Sequence, residues 1–162
     1  MVWASSRRIA VPRSGGYPHC KRGWQDILER LCSRIENALR DRETFEFVRI
    51  KQKMGILRVD WAGDVSDGTA AKILEAVNLA TARSSCTCEI CGAEGGRYID
   101  RGWFATRCDQ HAAGDRVPNR PGFENVRRLR RWHGQADMYY AHYDRTADTL
   151  TEVSPPSANS EG

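Results

Sequence analysis

The first apolar pattern in the chain is a stripe that repeats every three or four positions. It consists of Trp24, Ile27, Leu28, Leu31, Cys32, Ile35, Ala38 and Leu39. This spacing places side chains on one face of an α-helix, and charged residues such as Asp26, Arg30 and Arg34 fall on the other face. The pattern predicts an amphipathic helix from Trp24 to about Arg40.

The pattern then changes to two short runs rich in β-branched and aromatic residues, over 44–51 and 56–61. The four residues 52–55 between them end in Gly55, which is typical of a hairpin turn. We therefore predict two antiparallel strands.

The first of these strands breaks simple alternation. Phe45 and Phe47 would point to one face, whereas Val48 and Ile50 would point to the other. Either both faces are covered or the strand is more twisted than alternation suggests.

A second helical stripe follows the polar loop 63–68, with Asp67 as the predicted N-cap. Its members are Ala70, Ile73, Leu74, Val77, Ala80 and Thr81. Two amphipathic helices packed on a two-stranded hairpin form an α+β unit, which we place at 23–84. Because two strands alone are marginally stable, the helices must supply most of the burial.

Cysteine and histidine spacing gives the clearest chemical signal. Cys88 and Cys91 are two residues apart, sixteen residues separate Cys91 from Cys108, and Cys108 and His111 repeat the two-residue gap. Four sulfur and nitrogen ligands in two such pairs are typical of tetrahedral zinc. With all four positions filled by protein, the predicted zinc is structural rather than catalytic.

The intervening residues explain how the two pairs would meet. Residues 97–99 and 103–106 are strand-like, and Asp100-Arg101-Gly102 between them is typical of a hairpin turn. A helix opened by 109–113 would make this a treble clef. The prediction is a treble-clef or zinc-ribbon-like module over 85–114.

Three further cysteines fall outside this ligand set. Cys86 precedes the first pair closely enough to compete for the metal, but we expect it to be a neighbouring thiol. Cys32 lies on the first helical stripe and is predicted to be a core residue, while Cys20 is isolated. No apolar stretch is long enough to cross a bilayer and no secretory signal begins the sequence, so we expect a cytoplasmic protein with reduced thiols.

Positive charge is concentrated outside the predicted folded units. The net charge is +4, and residues 1–23 carry five basic and no acidic residues. Residues 116–133 contain Arg116, Arg120, Arg127, Arg128, Arg130 and Arg131 against only Glu124. Such patches attract polyanions, although a GC-rich genome would also enrich arginine over lysine. We predict a flexible basic arm over 1–22, a basic segment over 115–145 that could form a helix, and a disordered tail over 146–162.

The chain resembles a poorly characterised family of small zinc-binding proteins from phage, prophage and bacterial genomes. The resemblance rests on Gly23-Trp24 with the first helix, on the hairpin 50–58, and on the two ligand pairs with Trp103 and Thr106 between them. It covers about residues 23–112. It implies a zinc-bound accessory protein of mobile elements and brings no established activity.

The preferred functional interpretation is a non-enzymatic protein that docks on a host protein. Tyr98, Trp103 and Phe104 cannot all point inward on so short a hairpin, and they would form the docking face. The competing interpretation is that Trp103 packs into the core.

Two alternatives stay open. In the first, Arg127, Arg128, Arg130 and Arg131 contact the phosphates of DNA or RNA while Trp132 stacks on a base. Against it, Asp137, Asp144 and Asp148 follow in the sequence and offset that charge. In the second, His111, Asn125 and His133 act as in an HNH nuclease, which would require His111 to leave the zinc.

Overall fold

The chain folds as an α+β protein with two α-helices and three small sheets in the residues that the structure describes. The structure is a computed structural model, and it describes residues 9–10, 18–132 and 137–155. Its elements are β1 (Ile9–Ala10), α1 (Gln25–Ala38), β2 (Phe45–Lys53), β3 (Ile56–Ala62), α2 (Asp67–Ser84), β4 (Gly96–Asp100), β5 (Trp103–Arg107), β6 (Asp115–Arg116), β7 (Val126–Arg130), β8 (Met138–Asp144) and β9 (Thr149–Val153). The two predicted amphipathic helices and both predicted hairpins are confirmed.

Helix α1 buries the predicted stripe. A 3-10 turn over Arg22–Trp24 precedes it, and the chain becomes extended at Leu39. Trp24, Leu28, Leu31 and Ile35 are fully buried. They pack with β2, β3 and α2 in the main core.

A β-bulge accounts for the irregular pattern of β2. The register between β2 and β3 shifts between Phe47 and Arg49. One extra residue in a strand reverses the side-chain alternation beyond it. Phe45, Phe47 and Ile50 therefore all face the core, while Val48 is exposed.

Helix α2 begins one residue earlier than predicted. Ser66, not Asp67, is the N-cap: its backbone is extended and its hydroxyl accepts a hydrogen bond from the Thr69 amide at 3.4 Å. The helix is buried on two sides, because the α1 and β2–β3 core lies on one side and the third sheet lies on the other. This explains why residues outside the predicted stripe, such as Ala76, Asn78 and Ala82, are also buried.

The second sheet contains the hairpin between the ligand pairs. Strands β4 and β5 are antiparallel and join through Arg101 and Gly102, both with positive φ, as in a type I′ turn. After Cys108 the chain makes only a 3-10 turn over Asp109–His111 and then returns as β6 beside β4. The α-helix that a treble clef needs is absent from this position.

The third sheet corrects two predictions about the C-terminal part. Val126–Arg130 belongs to the basic segment that could form a helix, but it is strand β7, because it pairs with the tyrosine-rich strand β8. The predicted disordered tail contains β9, which pairs with β8. Its polar sequence is ordered by strand pairing and by the buried carboxylate of Asp148. Residues 156–162 of that tail lie outside the described residues.

The predicted N-terminal arm is partly paired with the first sheet. The backbone of Ile9–Ala10 lies parallel to Phe45–Glu46, and the His19 amide donates to the Ile50 carbonyl at 2.9 Å. Residues 1–8 and 11–17 lie outside the described residues.

Candidate metal centre

Cys88, Cys91, Cys108 and His111 come together at one point, as their spacing predicts. Their sulfur and ring nitrogen atoms all lie within 4.8 Å of one another. Cys91 Sγ is 3.7 Å from Cys108 Sγ, and His111 Nδ1 is 3.7 Å from Cys88 Sγ and 3.2 Å from Cys108 Sγ. A tetrahedron built on zinc–sulfur bonds of about 2.3 Å has sulfur–sulfur edges of about 3.8 Å. The four side chains therefore fit a tetrahedral metal ion.

Backbone amides at the first ligand pair favour a thiolate. Burial would raise the pKa of Cys88, but hydrogen bonds from the amides of Cys91, Cys108 and Ile90 outweigh it and lower the pKa to about 6. The loop that presents the Ile90 and Cys91 amides is closed by a bond from the Cys88 amide to the Ala93 carbonyl at 2.7 Å. Since the thiolate is the form that binds metal, the fold prepares Cys88 as a ligand.

The centre is covered unevenly. Cys88 and Cys108 are buried, His111 is half-buried and Cys91 is exposed. The pKa of Cys91 is raised, because the favourable hydrogen bond from the Ala93 amide is outweighed by partial desolvation of its sulfur and by the adjacent thiols of Cys108 and Cys88. Without a cation, repulsion between the negative charges makes it unfavourable for all three clustered cysteines to ionise. A bound divalent metal ion would offset this repulsion.

The residues immediately before α1 donate hydrogen bonds to the backbone around the first ligand pair. The Gly23 amide donates to the Glu89 carbonyl at 2.9 Å, and the buried Trp24 indole donates to the Thr87 carbonyl at 2.8 Å. The Glu89 carboxylate is buried and pairs with Arg107 of β5 at 2.5 Å. The metal centre is therefore joined to the main core by backbone contacts.

Gly23→Ala is expected to destabilise the protein. A Cβ at Gly23 would lie 2.3 Å from the Cys88 carbonyl oxygen and 2.6 Å from the Glu89 carbonyl carbon, so one backbone segment must move. Overpacking of this kind costs about 1–3 kcal/mol in the free energy of unfolding, measurable by urea denaturation. Gly68→Ala is the control, because no atom lies within 4 Å of its Cβ position and alanine favours the helix. Equal stability of Gly23→Ala and wild type would contradict this account.

The remaining cysteines lie outside the ligand group. Cys86 is buried, and its thiol donates to the Arg83 carbonyl at 3.4 Å. Cys20 and Cys32 pack against the main core, and burial raises the pKa of each to about 11. Burial also raises the pKa of Cys86, so none of these three thiols is prepared as a thiolate ligand.

The three predicted aromatic docking residues differ in their exposure to solvent. Trp103 is 81% exposed, so the competing expectation that it packs in the core is wrong. Tyr98 is buried beside β6, where Arg116 lies 6.0 Å from its ring, so it is not an exposed docking side chain like Trp103. Phe104 is half-buried, with Arg97 at 5.2 Å from its ring.

The predicted phosphate-contacting arginines do not share one face. Arg128 and Arg130 point to the exposed side of β7, whereas Arg127 points inward and donates to Ser85 Oγ at 2.6 Å. Arg131 pairs with Glu152 at 2.5 Å. Trp132 packs beside Trp61 and donates to Asp67 at 3.3 Å. His133 lies outside the described residues, and Asn125 is a positive-φ turn residue before β7.

Two features were missed from the sequence. One is a cleft of about 540 Å³ between the second and third sheets, to which Arg97 contributes along with arginines of the basic segment. The other is the buried Asp148, which accepts bonds from Tyr143 and Arg34. The arginine count was the only signal for the first, and nothing in the sequence singled out Asp148.

Comparison with known proteins found no matching family model, no matching curated protein and no matching solved structure. Among the described residues, neither helix is both long and apolar enough to span a membrane.

Proposed function

We propose that this protein is a non-enzymatic, zinc-stabilised binding protein that docks on another protein through the tip of the β4–β5 hairpin. The observation that carries the proposal is Trp103, which stands 81% exposed beside the hairpin turn. Exposed tryptophans are over-represented among the residues that dominate protein–protein binding energy. The two ends of the hairpin lead directly into the two ligand pairs, so the metal would hold this tryptophan in a fixed position.

The surface beside Trp103 has the composition of a binding site. A cavity of about 190 Å³ lies next to its ring, lined by Tyr98, Asp100, Arg101, Trp103, Ala105, Arg107 and Ala113. Its apolar floor would take one small apolar side chain. Asp100 and Arg101 at its edge would fix the orientation of a partner that carries opposite charges.

The metal in this proposal is structural Zn²⁺, held by Cys88, Cys91, Cys108 and His111. Thiolate and imidazole ligands in a tetrahedron suit zinc better than the hard cations magnesium or calcium. Since a hairpin, a 3-10 turn and a returning strand surround the ligands, we describe the module as zinc-ribbon-like. The resemblance to phage and prophage proteins makes a bacterial host protein, encountered in the cytoplasm, the proposed partner.

Trp103→Ala is expected to abolish docking without weakening the fold. Because the side chain is mostly in water, its loss should leave the melting temperature and the metal content unchanged. Loss of a central tryptophan typically costs at least 2 kcal/mol of binding, or about 30-fold in Kd. The measurement is affinity capture from nuclease-treated bacterial lysate, followed by titration of the purified captured protein.

Val48→Ala is the matched control, since Val48 is an exposed apolar residue on a different sheet. A partner that binds wild type and Val48→Ala equally but loses Trp103→Ala would support the proposal. A partner that binds Trp103→Ala as tightly as wild type would refute the assignment of this face.

The nuclease alternative has a separate test. We expect no cleavage of plasmid DNA with magnesium, manganese or nickel, because His111 is grouped with three cysteines rather than left open for catalysis. Cleavage that disappears in His133→Ala, with the metal retained, would establish an enzyme instead.

A further inference from the structure

The cleft between the second and third sheets is lined by four arginines and one acid. Arg97, Arg116, Arg120 and Arg127 face a space of about 540 Å³, and Glu94 is the only acidic residue at its wall in the part of the chain that the structure describes. This volume is in the range of small-ligand sites. None of the four arginines lies within 4.0 Å of a carboxylate among the described residues, whereas Arg30, Arg34, Arg83, Arg107 and Arg131 all do.

The inner wall of the cleft holds a charge that the protein does not neutralise. Arg127 is half-buried, and its hydrogen-bond acceptors are neutral: Ser85 Oγ and the Val126 carbonyl. Burial lowers the pKa of Arg127, and the nearby positive charge of Arg97 adds to this effect. A half-buried guanidinium without a counter-ion is costly unless an anion binds beside it.

The acidic residues that were expected from the sequence to offset this charge form ion pairs or hydrogen bonds outside the cleft. Asp148 pairs with arginines of α1 and α2, and Asp137 lies 3.8 Å from Arg131. Asp144 accepts hydrogen bonds from the Thr146 and Ala147 amides. The positive potential of the cleft is therefore larger than the sequence of the C-terminal part indicates.

The mouth of the cleft adds aromatic surface. The Phe123 ring lines it, with the Arg120 guanidinium 5.1 Å from the ring and the Tyr140 ring 6.4 Å away. Arg128 is paired with Tyr140 across β7 and β8 and therefore shares its face. Arginine and aromatic side chains therefore extend from the cleft onto the outer face of the third sheet.

We propose that this cleft binds a single-stranded nucleic acid: the four arginines of the cleft, including Arg120, contact phosphates, and Phe123 stacks on a base. Phosphate favours arginine because the planar guanidinium donates two parallel hydrogen bonds. Strand binding without sequence readout combines a basic groove with aromatic rings in this way. Since the cleft is concave, a flexible strand enters it more readily than a stiff duplex. This site is separate from the hairpin tip and does not depend on Trp103.

The experiment measures binding of a fluorescent twelve-nucleotide single strand by anisotropy, as salt is varied from 0.05 to 0.3 M. The test variant is Arg97→Gln/Arg116→Gln/Arg120→Gln, because all three side chains are exposed and the fold should tolerate the change. The control is Arg22→Gln/Arg49→Gln/Arg58→Gln, which removes the same charge from exposed positions outside the cleft. Equal melting temperature and metal content for both variants establish that each is folded.

Loss of three phosphate contacts should reduce the salt slope by about 2 and the affinity at 0.15 M salt by about 50-fold, while the control should change it less than threefold. Displacement of the fluorescent strand is then measured with three competitors: a free nucleotide, inorganic phosphate and the matching duplex. These competitors distinguish a site for a strand from a site for one phosphate group. Three results would overturn the proposal: no binding by wild type at 0.05 M salt, equal loss in both variants, or equal competition by poly-glutamate.

Discussion

Cys88→Ser and Cys108→Ser are each expected to abolish metal binding and to unfold the second sheet. Wild-type protein should contain about one zinc equivalent per chain, measured by elemental analysis after dialysis. Apparent binding free energies of structural zinc are about 10–16 kcal/mol. Loss of the metal therefore removes more stabilising free energy than side-chain packing can provide in so small a module.

Cys86→Ser is the matched control for this prediction. Its sulfur is buried two residues before Cys88 but bonds to the carbonyls of α2 instead of joining the cluster. The metal content should stay at about one equivalent, and protease cleavage within 88–111 should not increase. Metal loss in Cys86→Ser would place Cys86 among the ligands, and folded wild type without any metal would refute the centre itself.

Asp148→Asn is expected to cause the largest loss of stability away from the metal. The carboxylate is 6% exposed, and it accepts bonds from the Tyr143 hydroxyl at 2.6 Å and from Arg34 at 2.7 Å. Arg30 and Arg83 lie 3.3 and 3.7 Å away. Removing one member of a buried charged group leaves the others uncompensated, which costs about 3–5 kcal/mol in the free energy of unfolding.

Glu152→Gln provides the comparison, since Glu152 forms an ion pair of 2.5 Å with Arg131 while its side chain is 59% exposed. Water screens such a pair, so denaturant unfolding should show little or no change. If Asp148→Asn were no more destabilising than Glu152→Gln, the buried network would not hold the third sheet against the helices.

The stabilisation that Asp148 provides should decrease at low pH. Burial alone would raise its pKa, but the Tyr143 hydroxyl and Arg34 outweigh burial, and the net pKa lies below the usual value. A lowered folded-state pKa gives stability that is present above the unfolded value of about 3.9 and lost as pH falls through the folded value. The stability difference between wild type and Asp148→Asn should therefore shrink on acidification below about pH 4.

The parts of the fold that could be predicted are those set by neighbouring residues. Gly55 and Gly102 specify tight turns, and both hairpins follow from them. The ligand pairs could be predicted because metal geometry dictates their spacing. The bulge at Phe47 could not be predicted, because a register shift can be identified only when the partner strand is known.

The third sheet and the orientation of the aromatics depend on distant pairings. The sequence of strand β7 alone is compatible with a basic helix, and only its pairing with Tyr139 and Tyr140 of β8 identifies it as a strand. Tyr98 is covered by β6, a strand of only two residues, whereas Trp103 is next to the turn and no segment among the described residues covers it. Pairing over such short segments leaves no periodic signal in the sequence.

The contact between Asp148 and α1 has a consequence for synthesis on the ribosome. Arg34 is made 114 residues before its buried partner. At about 5–20 residues per second, this arginine waits roughly 6–23 s for Asp148. During that interval the side of α2 that carries Leu79 and Ala82 is also uncovered, because Tyr143 and Leu150 have not yet been made. The nascent chain therefore exposes an apolar helix face that a chaperone can bind until the third sheet closes over it.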